Sequence, residues 1–423
     1  MKKVISVLAV LAFIGSIANA ELLKNFKYDG KLEINSWTDS NDFDKDTNKK
    51  MSQTQTRLEL NANFDLTQDV SANVSVIKNN RDYGAGSEDA NTITTKLFFE
   101  QAYLNLKGVI GIDHKLGRQY YGNAGDMVIY YGPKMWPYNY DKTATPPVGL
   151  TVNAIDGWTG WWKYDKWNLD VHAIIARDTD NKLGGVAPDK DIDIYGINAK
   201  TKIDRFNLNA YAYEKIDKTN GVNKFIFIDV IGARVNWECK FVKGLNLGLE
   251  YDMNMGNDKN AAEEFKGYAY KANVDYTMDL MGKLGFDAEY VFNSGDDKPG
   301  DTKNEEWQAI NDDYRPGIIL GGGFSALTSV GSGSKTYNIG VNWTPEKLNK
   351  LNLAAKYYDF SAAEKSGLTK VHLGTETDIV ATWTHSDNVS VKGYYAMFAP
   401  EKKNNVTNHD AQTMLGAAFV VKF

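Results

Sequence analysis

Apolar and polar residues alternate along almost the whole chain from Phe26 onward, in runs of about ten residues. One clear run places Leu245 and Leu247 on one face and Asn246 and Gly248 on the other. A period of two is typical of a β-strand, and about ten residues is the length of a tilted strand that spans a membrane. The pattern therefore predicts an all-β protein.

Counting these runs predicts eighteen strands, an even number. They lie at residues 26–37, 53–64, 69–80, 95–106, 112–122, 151–163, 167–177, 191–203, 206–217, 225–238, 245–256, 266–278, 283–294, 335–343, 351–361, 370–384, 389–399 and 411–423. Sixteen strands is the alternative, and an extra hairpin within residues 295–334 would also change the count by two.

The connections between the predicted strands alternate in length. Short ones fall at residues 66–68, 164–166, 204–205 and 279–282, and long ones at 38–52, 81–94, 123–150 and 295–334. Short turns on one side and long loops on the other are typical of outer-membrane barrels, in which closure leaves no unpaired strand edge. We therefore expect a transmembrane antiparallel β-barrel with long extracellular loops and short periplasmic turns.

The first twenty residues have the pattern of a secretory signal peptide. Lys2 and Lys3 precede an apolar run over residues 4–17, and Ala18-Asn19-Ala20 follows. The run is too short to span a bilayer well. We expect cleavage near Ala20, a single barrel domain over residues 21–423, and a location in the bacterial outer membrane.

Charge and cysteine content argue against other classes of protein. The 423 residues carry a formal charge of −6, and only 7 of the 48 basic residues are Arg, which disfavours nucleic acid as a partner. The lone Cys239 rules out an internal disulfide framework and a multi-thiolate metal site.

Aromatic residues cluster at the ends of the runs, where amphipathic rings would lie at a membrane interface. This set comprises Trp37, Trp161, Trp162, Trp167, Trp237, Trp343, Trp383, Tyr357 and Tyr395. The last strand places Phe419, Val421 and the terminal Phe423 on one face. This ending resembles the assembly signal of bacterial outer-membrane proteins, which implies the barrel-assembly machinery and outer-membrane lipid as partners.

If the apolar positions face lipid, the opposite positions face the lumen, and many of them are ionisable. They are Lys27, Asp29, Lys31, Glu33, Arg57, Glu59, Lys200, Lys202, Arg234, Glu238, Glu250, Asp252, Lys271, Asp275, Asp287, Glu289, Lys356, Glu376, Asp378 and Lys392. So many charges would be too costly in a dry core, and eighteen strands enclose a bore too wide for side chains to fill. The sequence therefore predicts a water-filled channel lined by these residues.

The acidic residues from Glu250 to Glu289 fall on successive strands, and Lys200, Lys202 and Arg234 fall on neighbouring ones. One hypothesis is a field across the pore with a slight preference for cations. Scattered charges without selectivity are the equally open alternative.

The loop at residues 123–150 is rich in rings and prolines. Its ring candidates for a constriction are Tyr130, Tyr131, Trp136 and Tyr138. Long ordered loops are usually functional, so this loop could fold inward and offer stacking surfaces for sugars. An outward cap is equally allowed.

Short motifs resemble two families of outer-membrane barrel. Residues 99–106 read FEQAYLNL and residues 116–119 read LGRQ, which resembles the alginate-export-like family. Residues 154–157 read AIDG, which is similar to the major porins of the campylobacter type. Both groups have eighteen strands. The resemblance implies that Arg118 is a pore or turn residue, although Arg118 shares a face with Leu116.

Enzyme and metal motifs are incomplete. Residues 75–78 (SVIK) and 386–388 (SDN) match a penicillin-binding pattern, but no K-T-G follows. The five histidines have no triad or metal spacing, and residues 42–46 (DFDKD) begin a calcium loop without its glycine or final Glu. We expect no enzyme activity and no cofactor, with divalent cations at acidic loops as the one exception.

The sequence therefore predicts an outer-membrane porin through which small hydrophilic solutes or ions diffuse passively. A saccharide or polysaccharide channel, of the alginate-export kind, is the alternative. Whether the barrels form an oligomer stays open.

Overall fold

The computed structural model describes residues 24–40, 50–80, 97–133, 154–179, 191–218, 225–321, 331–366, 368–402 and 411–423. Within these ranges, eighteen long antiparallel strands form one closed β-barrel. No helix in the described part of the chain is long and apolar enough to cross a lipid bilayer.

We number the barrel strands in chain order. They are β1 (Lys24–Ser40), β2 (Lys50–Asp65), β3 (Val70–Asn80), β4 (Leu97–Val109), β5 (Ile112–Gln119), β6 (Ile155–Tyr164), β7 (Leu169–Thr179), β8 (Ile192–Ile203), β9 (Phe206–Asp217), β10 (Ile226–Glu238), β11 (Leu245–Asp258), β12 (Tyr268–Asp279), β13 (Gly282–Asn293), β14 (Ser334–Pro345), β15 (Leu351–Ser361), β16 (His372–Ser386), β17 (Val389–Pro400) and β18 (Gln412–Lys422). Short 3₁₀ turns at Asp165–Trp167 and Glu346–Leu348 lie on the periplasmic side.

Each strand pairs with its sequence neighbour, and β1 also pairs with β18, which closes the barrel. The backbone N–H groups of Gly30 and Phe423 donate to each other's carbonyls at 2.8 and 3.0 Å. The prediction of eighteen strands is confirmed. The extra hairpin is absent from the described residues, since Lys303–Asn304 pairs in parallel with the short strand Glu263–Phe265 outside the barrel wall.

The periplasmic connections are tight turns. Ile110 and Gly111 both have positive φ, 57° and 79°, as a two-residue hairpin requires to match the twist of its strands. Ile110 is 92% exposed at the tip of this turn. The short connections predicted from the sequence therefore correspond to real hairpins.

The two faces of the barrel follow the alternation of the sequence. Leu249, Ile379 and Phe419 point outward and are more than half exposed, as lipid-facing side chains would be. Trp343 and Trp383 also point outward near the periplasmic end, where interfacial rings are expected.

Two residues of the predicted aromatic belt lie inside the barrel instead. Trp37 is buried in an inner cluster with Phe360 and Phe398, and Trp161 lines an inner cavity. Trp37 has the same parity in β1 as the inward Glu33. The prediction was wrong for these two because strand parity, rather than ring type, decides which way a side chain points.

The closure at Gly30 generates a test. A Cβ atom at Gly30 would lie 2.5 Å from the ring of Phe423, whereas a Cβ at Gly393 would meet nothing within 4 Å. We expect Gly30→Ala to lower the free energy of unfolding by about 1–3 kcal/mol, as overpacking does. Urea unfolding measures this free energy, with Gly393→Ala as the control. The folded fraction is read from the difference in gel mobility between the unheated and the heated protein. Equal midpoints for the two variants would count against the role of this contact.

Candidate functional site

The connection after β5 folds into the barrel. We call its described part, residues 120–133, inner segment 1. Val128 and Ile129 are almost fully buried against Ile194 of β8 and Val230 of β10. Tyr131, a predicted constriction residue, joins this cluster, and Tyr130 donates from its hydroxyl to the carbonyl of Pro133 at 2.9 Å. The described part of the loop is thus inward, which was one of its two predicted orientations.

A second segment, from the connection between β13 and β14, packs against the first. We call residues 305–321 inner segment 2. The N–H of Asn311 donates to the Val128 carbonyl at 3.0 Å, and the N–H of Tyr130 donates to the Asn311 carbonyl at 2.8 Å. The N–H of Asp313 donates to the Asp126 carbonyl at 2.8 Å. This backbone ladder joins the two segments into one unit inside the lumen.

An ion pair fixes inner segment 1 to the wall. Both oxygens of Asp126 accept from the guanidinium of Arg234 in β10, at 2.6 and 2.7 Å. Arg234 also contacts Glu250 of β11 at 2.7 Å and lies over the ring of Tyr211. Since the Asp126 side chain is only 5% exposed, this bidentate pair is screened little by solvent.

The remaining inward charges on this side of the barrel also have partners. Lys271 contacts Glu289 at 2.8 Å, and Lys356 contacts Asp287 at 2.6 Å. Glu289 also accepts from the hydroxyl of Tyr314 in inner segment 2 at 2.9 Å. Pairing and hydrogen bonding offset the cost of holding these groups out of bulk water.

Burial keeps the tyrosines of the inner segments protonated. Desolvation raises the pKa of Tyr130 to about 12 and raises the pKa of Tyr314 well above its ordinary value. Both phenols therefore remain hydrogen-bond donors even at the alkaline pH at which a free tyrosine ionises. Tyr314 keeps its bond to Glu289 under those conditions.

Inner segment 2 is attached to a different part of the wall by its backbone. The N–H groups of Ile318, Ile319 and Leu320 donate to the carboxylates of Glu376 and Asp378 in β16, at 3.0, 2.6 and 3.0 Å respectively. Together with the Arg234 contact, this attachment makes the two inner segments a bridge between β10 and β16.

Two of the cavities among the described residues lie beside the bridge. The first has a volume of about 370 Å³ and lies between inner segment 1 and strands β5 to β10. Its lining comprises Lys115, Tyr120, Tyr121, Gly122, Asn123, Asp126, Ile129, Thr159, Trp161, His172, Asn198, Lys200, Tyr211, Tyr213 and Arg234. Its walls are mainly rings, amides and cations.

The second cavity has a volume of about 530 Å³ and lies near the periplasmic end of β1, β2 and β16 to β18. Its lining comprises Lys31, Glu33, Arg57, Pro133, Thr382, Thr384, Ser386, Asp387, Asn388, Val389, Ser390, Lys392, Ala418, Val420 and Lys422. Inner segment 1 contributes Pro133, so this cavity is also bounded by the bridge.

The structure places most of the predicted pore residues on the inner face. These are Arg57, Glu59, Lys200, Arg234, Glu250, Asp252, Lys271, Asp275, Asp287, Glu289, Lys356 and Asp378. Trp136 and Tyr138 lie outside the described residues. Phe419 and Val421 point outward in β18, and Phe423 packs beside Gly30.

Arg118 is an exception, because it lies on the outer face near the extracellular end of β5. Its guanidinium forms an ion pair with the outward Asp156 of β6, and both side chains are more than a third exposed. Leu116, two residues earlier, points the same way and is 39% exposed. The prediction that Arg118 lines the pore was therefore wrong, and the awkward parity was the correct signal.

The inner segments leave the predicted channel narrower than the strand pattern alone indicates. Apolar clusters fill part of the space: one around Val128 and Ile194, and one around Leu320 and Phe398. The inner segments supply apolar side chains that the strand pattern alone does not reveal. Solvent-sized space is present beside the bridge in two cavities.

Several residues of the site had no prediction. Tyr211 and Tyr213 face inward, although the sequence pattern groups them with the apolar positions. They have the same parity in β9 as the inward Asn209, and this parity was an available signal. Asp126 lies in an irregular connection, where no periodicity indicates a direction. Glu100 points inward because a bulge between Ser75 and Val76 shifts the register of β4.

An acidic group lies at the extracellular start of inner segment 2, of which Glu305 is the first residue. One oxygen each from Asp296, Asp297 and Glu305 falls within 4.8 Å of the others, in the extracellular connection after β13. Exposed acidic groups of this kind are common without a bound ion. Divalent cations at the acidic loops stay a prediction.

The protein is a closed eighteen-stranded barrel that is apolar outside and charged inside, and its own extracellular connections narrow the lumen. These features define an outer-membrane channel of the porin class. The sequence profile of the Gram-negative porin family matches residues 7–315, well over half of the chain. The chain therefore belongs to the Gram-negative porin family. It is an outer-membrane porin for passive diffusion of small solutes.

Solved structures with the same fold are outer-membrane proteins of low sequence identity. Acinetobacter baumannii OccAB2 is 12% identical with a TM-score of 0.62, covering 95% of this chain and 99% of its own. Pseudomonas aeruginosa OpdQ is 11% identical with a TM-score of 0.61, covering 96% and 99%. No curated protein matches the chain. The alginate-export-like and campylobacter-type resemblances are not supported by these comparisons.

The contacts of Arg234 can be tested by substitution, and a surface ion pair supplies the control variant. Arg234→Met would leave Asp126 and Glu250 without their cation, so we expect a loss of about 3–5 kcal/mol in unfolding free energy. We also expect noisier single-channel currents, since inner segment 1 loses its attachment. Arg118→Met, at an exposed pair, should cost at most about 1 kcal/mol. Denaturant titration measures the unfolding free energy, and bilayer recording measures the current noise. Equal results for the two variants would contradict the role of the Arg234 contacts.

Proposed function

We propose that the channel passes small hydrophilic solutes with a weak preference for anions. The supporting observation is the charge of the two cavity linings. The larger cavity is lined by the cations Lys31, Arg57, Lys392 and Lys422 against the anions Glu33 and Asp387. The smaller one adds Lys115 and Lys200, besides Arg234, whose charge is balanced by Asp126 and Glu250.

The acidic residues that suggested a cation preference have a different role in this proposal. Glu289, Glu376 and Asp378 accept hydrogen bonds from inner segment 2, and Glu250 contacts Arg234. Carboxylates that are buried and paired contribute little to the field in the free space, whereas cations lining a water-accessible cavity contribute more. The proposal therefore reverses the sign that was expected from parity alone.

Selectivity is measured by the reversal potential of the purified protein in a planar bilayer under a KCl gradient. We expect chloride to be preferred over potassium by about twofold, as a modest excess of lining charge gives. Lys392→Gln should reduce this ratio, because it removes a cation from the larger cavity. Lys347→Gln, in an exposed periplasmic turn, is the control and should leave the ratio unchanged. A potassium preference in the wild type would refute the proposal.

A saccharide channel is the second candidate, and the smaller cavity favours it. Its rings include Tyr120, Tyr121 and Trp161, and the Asn198 amide and Thr159 hydroxyl lie among them. Aromatic faces beside amides and hydroxyls suit sugar rings, and a volume of about 370 Å³ is in the usual range for a small-molecule site. The two lysines of the lining would favour acidic sugars over neutral ones.

Current blockade by digalacturonate, compared with maltose, tests this second candidate. We expect Trp161→Ala to weaken blockade by on the order of tenfold, which corresponds to about 1.4 kcal/mol. Trp162→Ala is a matched control, because Trp162 is the next residue in β6 and has the opposite parity. The absence of blockade by either sugar in the wild type would exclude a saccharide site here, and equal blockade by both would refute the preference for acidic sugars.

We further propose that the protein acts as a channel and catalyses no reaction, which its membership in a porin family supports. The terminal Phe423 would act as an assembly signal for the barrel-assembly machinery. Its backbone hydrogen bonds to Gly30 support this proposal, because they make Phe423 part of the closing contact.

A further inference from the structure

Two carboxylates on β16 are buried without a basic partner among the described residues. Glu376 is 0% exposed and Asp378 is 4% exposed, and both point into the barrel. The ion pairs of the described residues include neither of them, although Lys356 lies opposite Asp378 in the sheet. A buried carboxylate without a cation needs hydrogen-bond donors.

The donors come from a tight turn of inner segment 2, residues 317–321, which we call the cap turn. Three successive N–H groups, those of Ile318, Ile319 and Leu320, converge on the two carboxylates. Gly317 has a φ of +80°, which favours glycine and lets the chain enter the turn. Each partner thus satisfies the other: buried N–H groups need acceptors, and buried carboxylates need donors.

The location of the cap turn gives this contact a role in transport. The side chains of Ile318 and Leu320 pack on the inner wall with Trp37 of β1 and Phe398 of β17. These wall residues lie towards the extracellular ends of their strands. Nearer the periplasm, the same two strands line the larger cavity through residues that include Lys31 of β1. The cap turn therefore covers the strip of inner wall that lies between this cavity and the extracellular end of the barrel.

We propose that Glu376 and Asp378 are positioning residues that set the size limit of the channel by holding the cap turn over the larger cavity. This inference rests on the proposed function as a diffusion channel. Neither carboxylate needs to touch a solute, because each acts through the turn that it fixes.

The apolar contacts of the cap turn do not make the carboxylates redundant. Packing of Ile318 and Leu320 is non-directional and tolerates sliding along the wall, whereas three hydrogen bonds fix position and orientation. If the acceptors are removed, three buried N–H groups lose their partners and the turn must move towards water to satisfy them. That movement uncovers the strip of inner wall on the extracellular side of the larger cavity.

The experiment uses the full-length protein in planar bilayers and in liposomes, with uncharged polyethylene glycols of graded size as probes of the passage. Glu376→Leu removes both acceptor oxygens at similar volume, and Glu376→Gln keeps one. We expect Glu376→Leu to raise single-channel conductance about twofold and admit larger polymers, with a smaller change for Glu376→Gln, as widening at a constriction predicts.

A second variant approaches the same contact without changing charge. A Cβ atom at Gly317 would lie 2.6 Å from a carboxylate oxygen of Glu376, so Gly317→Ala should displace the cap turn and reproduce the larger size limit. Gly300→Ala is the matched control, because Gly300 also has a positive φ, lies in the same connection and has nothing within 4 Å of its Cβ position. Glu238→Gln controls for the loss of an inward carboxylate, since Glu238 pairs with Lys202 at the periplasmic end of β10 and is not in the lining of the larger cavity.

The outcomes separate this inference from the proposed function. A larger size limit in Glu376→Leu and Gly317→Ala, but in neither control, supports the role of the carboxylates. An unchanged limit in both variants overturns it, as does an equal increase in Glu238→Gln. If Glu376→Leu does not assemble, Gly317→Ala decides alone. A wild-type protein that conducts nothing would instead refute the diffusion channel itself.

Discussion

The structure depends on one constraint: within lipid, every backbone N–H and carbonyl must find its partner inside the protein. A flat sheet would leave two edges unpaired, so the chain closes, and the closing contact is the pairing of β1 with β18. Once the ring is closed, alternate side chains have only two destinations. The outward set meets lipid and the inward set meets the lumen, so a single period fixes both the membrane surface and the chemistry of the interior.

Closure also creates a difficulty, because eighteen strands enclose more space than their own side chains fill. The protein fills part of this space with two of its extracellular connections. Both are attached through polar side chains rather than by apolar packing alone: the Arg234 guanidinium holds one, and the carboxyl groups of Glu376 and Asp378 hold the other. Much of the acidic wall is used in attachment, which leaves lysine-rich linings around the remaining space.

The sequence predicted the barrel well because strand periodicity is local. All eighteen runs correspond to strands, and the ends differ by only a few residues, since Gly, Asn and Asp at the turns mark where each run stops. Parity also identified most of the inward charges. The sequence prediction failed at Trp37 and Trp161, where ring type was given more weight than parity. It also failed at Arg118, where a family resemblance was given more weight than parity.

The attachment of the inner segments could not be predicted in the same way. Asp126 and Arg234 are 108 residues apart, and nothing in the period of β10 indicates that an irregular connection supplies the partner. Glu376 and Asp378 were identified as inward, but their partners are backbone groups, which have no residue identity to read. Such contacts follow from where the closed barrel brings the connections, so they depend on the three-dimensional fold.

The ladder between the two inner segments has a consequence for the order of assembly. Asn311 donates from its amide to the carbonyl of Tyr130, a residue 181 positions earlier, with eight strands of the barrel wall between them. Contacts at such separation form late, because the intervening chain must first be ordered. The restriction of the pore therefore depends on eight strands already being in place, and it forms late in assembly, as does the pairing of β1 with β18 that closes the barrel.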